Sequence, residues 1–140
     1  MNDATGTKRI TLSLAVFVLI CFFLPWVQVG CLVAEDSVSG FELARETDHL
    51  LWFIPALMIV IILIGLAGTL SEKMPSIFAL AGTVGGSISA YLMYYELSGL
   101  NDSPRLVAMR WTAFFWLGFI ASLGIAVCAF VFYVRRSRSP

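Results

Sequence analysis

Phe22–Ala44, FFLPWVQVGCLVAEDSVSGFELA, decides the fold. It opens as the end of a long apolar run, breaks at Pro25-Trp26, and continues as the one sizeable polar loop in the chain. On its N-terminal side Ile10–Trp26 is an uninterrupted apolar run behind Lys8-Arg9. Its length is close to the shortest, roughly 17–25 residues, that spans a bilayer as a helix. A secretory signal would need a small-x-small cleavage site, and none follows. Gly30-Cys31 resembles the end of a lipobox, but Gln28 stands where that motif needs a small aliphatic residue. A retained first span is therefore expected.

Within the loop, residues 27–49, Val27 and Val29 alternate with Gln28 and Gly30, which predicts a short extended segment. Ser39-Gly40-Phe41-Glu42 has the S-x-x-E form of a capping box. In it the serine oxygen accepts a free backbone N–H and the glutamate reaches back to the cap. This predicts a short helix over 40–47.

Beyond the loop come three more apolar runs, over 50–70, 76–97 and 111–134, each long enough to cross a bilayer. Pro55 lies in the first turns of its run, where a missing N–H costs least. The composition agrees: 59% of the 140 residues are hydrophobic and only 13% charged, against about a quarter charged in a soluble domain. Mean hydropathy is +0.89. The expected architecture is an all-α polytopic membrane protein, residues 1–140 forming one bundle of four transmembrane helices with a short outer-loop helix.

Four spans put both termini on one side. That side carries Lys8, Arg9, Lys73, Arg135, Arg136 and Arg138; the other carries Arg45, Arg105 and Arg110. The positive-inside rule places the termini in the cytoplasm of a cell whose inner membrane holds the chain. Trp26, Trp52, Trp111 and Trp116 all fall toward the opposite, outer ends of their spans, where an indole suits the headgroup boundary.

Few residues are equipped for chemistry. There is no Gly-rich phosphate loop, no Cys-x-x-Cys pair and no His-x-x-x-His. Neither a catalytic nor a metal site is expected, nor a cofactor beyond lipid contacts, a nucleic acid or a soluble substrate. His49, the only histidine, is the weak candidate for a cofactor ligand, although a helix-start position beside Asp48 suits a solvated residue better. Glu96 is the only acid inside a span. It reads as an interfacial acid within reach of water, Arg105 or Arg110, or as an ion or proton ligand. Tyr91, Tyr94 and Tyr95 read as an interface belt.

Small residues recur at helical spacing as Gly82, Gly86 and Ala90 in the third span and Gly118, Ser122 and Ala126 in the fourth. Such stripes let helix backbones approach closely, either inside this bundle or against another protein's helix. In the loop, Trp26, Cys31 and Phe41 are the candidates for docking a partner.

Leu24-Pro25-Trp26-Val27, then Cys31, then Ser39-Gly40-Phe41 resembles small bacterial four-span membrane proteins that share a Leu-Pro-Trp helix exit and a Ser-Gly-aromatic step before the second span. The resemblance implies the four-span fold and no particular activity. The layout is also similar to that of claudins and tetraspanins. The loop, however, lacks the Gly-Leu-Trp and paired cysteines of the first and the Cys-Cys-Gly of the second, so their roles do not carry over.

Three functions fit: an accessory, non-catalytic subunit of a photosynthetic, respiratory or transport assembly; a small transporter or channel using Glu96 and the outer acids; or a free-standing envelope protein. The orientation is directly testable. A reporter fused after Pro140 should read cytoplasm and one inserted at Ser37 the opposite side; labelling of both sites from one side would rule out four spans.

Overall fold

The first helix stops where proline forces it to. A residue before proline is pushed out of the α region, and the helix that begins the chain, α1 (Asn2–Phe23), ends just before Leu24-Pro25. The computed structural model describes residues 2–31, 34–46, 49–67, 74–101 and 108–137. The tight turn expected at 71–75, the 102–107 connector and the 138–140 tail lie wholly or mainly outside these residues.

After α1 the chain forms strands β1 (Pro25–Cys31) and β2 (Ala34–Ser39), the short helix α2 (Gly40–Glu46) and a 3₁₀ turn (His49–Trp52). Helices α3 (Phe53–Ala67) and α4 (Met74–Asn101) follow, then strand β3 (Ala108–Trp111) and helix α5 (Ala113–Ser137). Among the described residues, the long helices α1, α4 and α5, and α3 together with its 3₁₀ turn, are the four segments long and apolar enough to cross a membrane. Their outer surfaces suit lipid: Leu63, Leu66, Leu80, Ile120 and Val127 are each 59–64% exposed. The protein is an integral, multi-pass membrane protein.

Two span ends differ from the sequence expectation. Pro25 and Trp26 do not finish the first helix but open β1, and Trp111 does not start the last helix but closes β3. At both ends the expectation rests on apolarity, and a strand that covers the end of a bundle is as apolar as the helix it adjoins.

Strand β1 pairs antiparallel with both β2 and β3, giving the order β2-β1-β3. The loop after the first span and the connector after the third thus close into one sheet over one end of the bundle. Of the three strands, the sequence pattern predicts only β1. The register carries a bulge between Pro25 and Val27, so Trp26 is the extra residue. Successive strand residues normally face opposite ways, yet Trp26 and Val27 are 0% and 3% exposed. The bulge re-aims the indole so that both side chains enter the core.

Within the bundle α4 packs closely on α5, because small residues line the seam. A Cβ built on Gly82 would sit 2.8 Å from the Ala129 Cβ, and one on Gly86 would sit 2.8 Å from both the Ala126 nitrogen and the Ser122 oxygen. Two buried hydroxyls turn back on their own helices: Thr11 donates to the Thr7 carbonyl at 3.0 Å and Ser122 to that of Gly118 at 2.9 Å, which satisfies them without a partner helix; the equally buried Ser89 Oγ has no hydrogen-bond partner among the described residues.

Gly86 meets backbone, which cannot swing aside, whereas a Cβ on Gly118 would make only ordinary contacts, 3.4 Å from Cys21 and 3.5 Å from Met93. Gly86→Ala should therefore destabilise the protein by about 1–3 kcal/mol through overpacking, while Gly118→Ala stays near wild type. Thermal melts in mild detergent compare the two. Equal melting temperatures would refute the assigned seam.

Candidate functional site

The cap over the bundle is the most elaborated part of the molecule, and it grows from one missing amide. In a helix the carbonyl of residue 21 would accept from the N–H of residue 25. Residue 25 is proline and has none. The Trp26 indole fills the vacancy, its Nε1–H donating to the Cys21 carbonyl at 2.7 Å, while the Leu24 amide reaches the same oxygen at 3.2 Å.

The ring itself is an anchor. It meets Phe22 edge-on at a centroid distance of 5.6 Å and Phe115 of α5 at 5.4 Å. Helix α2 lies directly on it: a Cβ on Gly40 would come 2.7 Å from Trp26 Cε2 and 2.9 Å from the Phe22 carbonyl oxygen. Glycine at 40 is thus a requirement of close approach. Trp26 is a core residue, and the interface-belt reading of it is corrected. Trp52 and Trp116, each 43% exposed, have the exposure a belt needs, as do Tyr91, Tyr94 and Tyr95, each more than half exposed.

Phe41 is half-buried, stacked on Phe23 at 5.8 Å and edge-on to Trp52 at 5.5 Å. It ties α2 to α1 and to the 3₁₀ turn, so most of its ring serves packing rather than docking. Cys31 ends β1 opposite Ala34; its side chain lies outside the description. On the other flank Thr112 joins α5 to β1, its amide donating to the Trp26 carbonyl at 2.8 Å and its hydroxyl to that of Pro25.

The capping box forms as the sequence requires. The Ser39 amide donates to Glu42 Oε2 at 2.7 Å, the Ser39 hydroxyl to the same oxygen at 3.0 Å, and the Glu42 amide to Ser39 Oγ at 3.2 Å. The backbone N–H of Ser39 first, and its hydroxyl second, hold the Glu42 carboxyl below its ordinary value.

The sheet has two chemically distinct faces. Val27 pairs with Val38 and Trp111, a row turned to the bundle. Gln28 pairs with Ser37 and Arg110, and all three are exposed, forming a polar row across every strand. An open groove of about 550 Å³ lies where β3 meets α5, lined by Gln28, Arg110, Trp111 and Phe114 among others. Sequence reading misses this row. Ala108–Trp111 has no alternation, and only its pairing with β1 makes it a strand.

Gly82, Gly86, Ala90, Gly118 and Ser122 are buried and Ala126 is half-buried. Gly86 seats directly on Ser122 and Ala126, so the two stripes meet along a seam inside this bundle. Glu96 is buried, only 7% exposed, so little of it opens to water; Arg105, one of its two expected partners, lies outside the described residues. His49 is exposed at the start of the 3₁₀ turn. Among the described residues no group of three His, Cys, Asp or Glu is placed to hold a metal. Compared with known proteins, the chain matches no family model and no curated sequence.

The cap should loosen in acid. Glu42 has a folded pKa lowered from 4.5, so its contribution is complete above that value and is lost as pH falls through the folded one. Amide exchange in Gly40–Glu46, corrected for intrinsic rates, should accelerate on that acid limb. Glu42→Gln should remove the pH step; an unchanged step would assign it to another group.

Proposed function

We propose that this chain is a non-catalytic accessory subunit of a larger bacterial membrane assembly, lying in the inner membrane with both termini cytoplasmic and the sheet on the outer side. The observation that carries this reading is the exposed row Ser37–Gln28–Arg110 on a platform fixed to the bundle. Helix-to-helix connections normally need about 2–8 residues, and here two longer connectors are built into a shared sheet. A simple link between helices has no use for such a surface, whereas a docking surface does. The small-residue stripes, spent on internal packing, leave the cap as the part best suited to recognition. Photosynthetic, respiratory and transport assemblies all fit as hosts. The resemblance to small bacterial four-span proteins, carried by Leu24-Pro25-Trp26 and Ser39-Gly40-Phe41, agrees with a structural role for those motifs.

A photo-crosslinking residue at position 37, in cells, tests the proposal. It should yield an adduct with a different membrane protein, lost when Gln28 and Arg110 are both replaced by glutamate in a chain that still melts normally. Adducts with lipid alone, or with further copies of this chain alone, would reject the subunit reading.

A further inference from the structure

The sheet ends at two open strands of opposite charge. β2 and β3 are each bonded on one side to β1, and among the described residues no strand pairs with the other side of either. Each free side is a row of backbone donors and acceptors ready to pair with a strand. β2, Ala34–Ser39, contains Glu35 and Asp36. β3, Ala108–Trp111, contains Arg110.

We infer that these edges join copies of this chain head to tail, the acidic β2 of one copy pairing with the basic β3 of the next. Three physical constraints select this arrangement. First, pairing β2 with β2 sets acids beside acids, and pairing β3 with β3 sets Arg110 beside Arg110. Like charges directly across a pairing are destabilising, and only β2 with β3 joins opposite signs.

Second, copies in one membrane share one orientation and are related by rotation about its normal or translation in its plane. β2 and β3 both run antiparallel to β1 and so run the same way as each other. Such an operation therefore brings them together as a parallel pair that extends the sheet. The contact is heterologous and builds a closed ring or an open row.

Third, there is room. A groove of about 550 Å³ lies open at the β3–α5 corner with Arg110 on its wall, so no side chain among the described residues fills the space around that guanidinium. A single-sign edge is a known device against strand pairing; with opposite signs on the two edges it blocks homotypic pairing and leaves the head-to-tail mode open. This inference stands apart from the subunit reading, since self-assembly needs no foreign partner.

Charge exchange tests it on the full chain in mild detergent, with native mass spectrometry as the readout. Wild type should show oligomers. E35K/D36K makes both edges basic and R110E makes both acidic; each should lower the oligomeric fraction at least about tenfold. The combined E35K/D36K/R110E chain should recover it, because its edges are again opposite. An equimolar mixture of the two single-edge variants should also recover it, as mixed assemblies containing both variants. A monomeric wild type, oligomers indifferent to either change, or losses that neither the combined chain nor the mixture repairs would each overturn the inference. Recovery in the combined chain also excludes misfolding as the cause of the losses.

Discussion

The carbonyl of Cys21 has to find a donor that Pro25 cannot supply, and the cap depends on how it does so. An unpaired carbonyl inside an apolar core costs about 1–3 kcal/mol. Here the Leu24 amide reaches it at 3.2 Å and the indole of Trp26 at 2.7 Å, the ring filling the space between Phe22 and Phe115. For the indole to turn inward next to an equally buried Val27, β1 has to begin with a bulge. For α2 to lie on the ring, residue 40 has to lack a side chain. For β1 to stay in place, its first carbonyls need partners, and Thr112 supplies both. Pro25 and Trp26 at the start of β1 and Gly40 at the start of α2 thus answer a single packing and hydrogen-bonding problem.

The bundle beneath solves a different problem. Lipid offers no hydrophobic drive between helices, so close backbone approach has to hold them. Gly82 and Gly86 supply it between α4 and α5, and the buried hydroxyls of Thr11 and Ser122 add no unsatisfied groups. The aromatic residues do the complementary work at the cap end. Phe22, Trp26, Phe41, Trp52, Trp111 and Phe115 link α1, β1, α2, the 3₁₀ turn, β3 and α5 through ring contacts of 4.3–6.3 Å.

What can be read from the sequence divides along the same line. Four apolar runs and the S-x-x-E cap are local signals, and they locate the helices and α2 correctly. The end of the first span is misplaced, at Trp26 instead of Phe23. Apolarity does not distinguish a helix in lipid from a strand on top of it, although proline at 25 carries the information. β3 is not local at all. Ala108–Trp111 becomes a strand only because β1, three helices earlier in the chain, offers it an edge. The burial of Trp26 is equally hidden: a tryptophan near a span end is ordinarily a boundary residue, and only the bulge sends this one inward. The small-residue stripes are legible as contact surfaces; which surface they contact is a property of the fold.

The candidate surface inherits its precision from the buried part. Ser37, Gln28 and Arg110 stand on three strands whose register is fixed by β1, and β1 is fixed by Trp26 below and Thr112 beside it. A ligand or neighbour that meets this row orders little backbone on binding, which removes one of the main costs of association. A rigid face cannot adapt to poor fits, so discrimination between neighbours has to rest on what the face and its edges display. On this sheet that is charge: the exposed Asp36 on β2, the guanidinium of Arg110 on β3, and the neutral Gln28 between them.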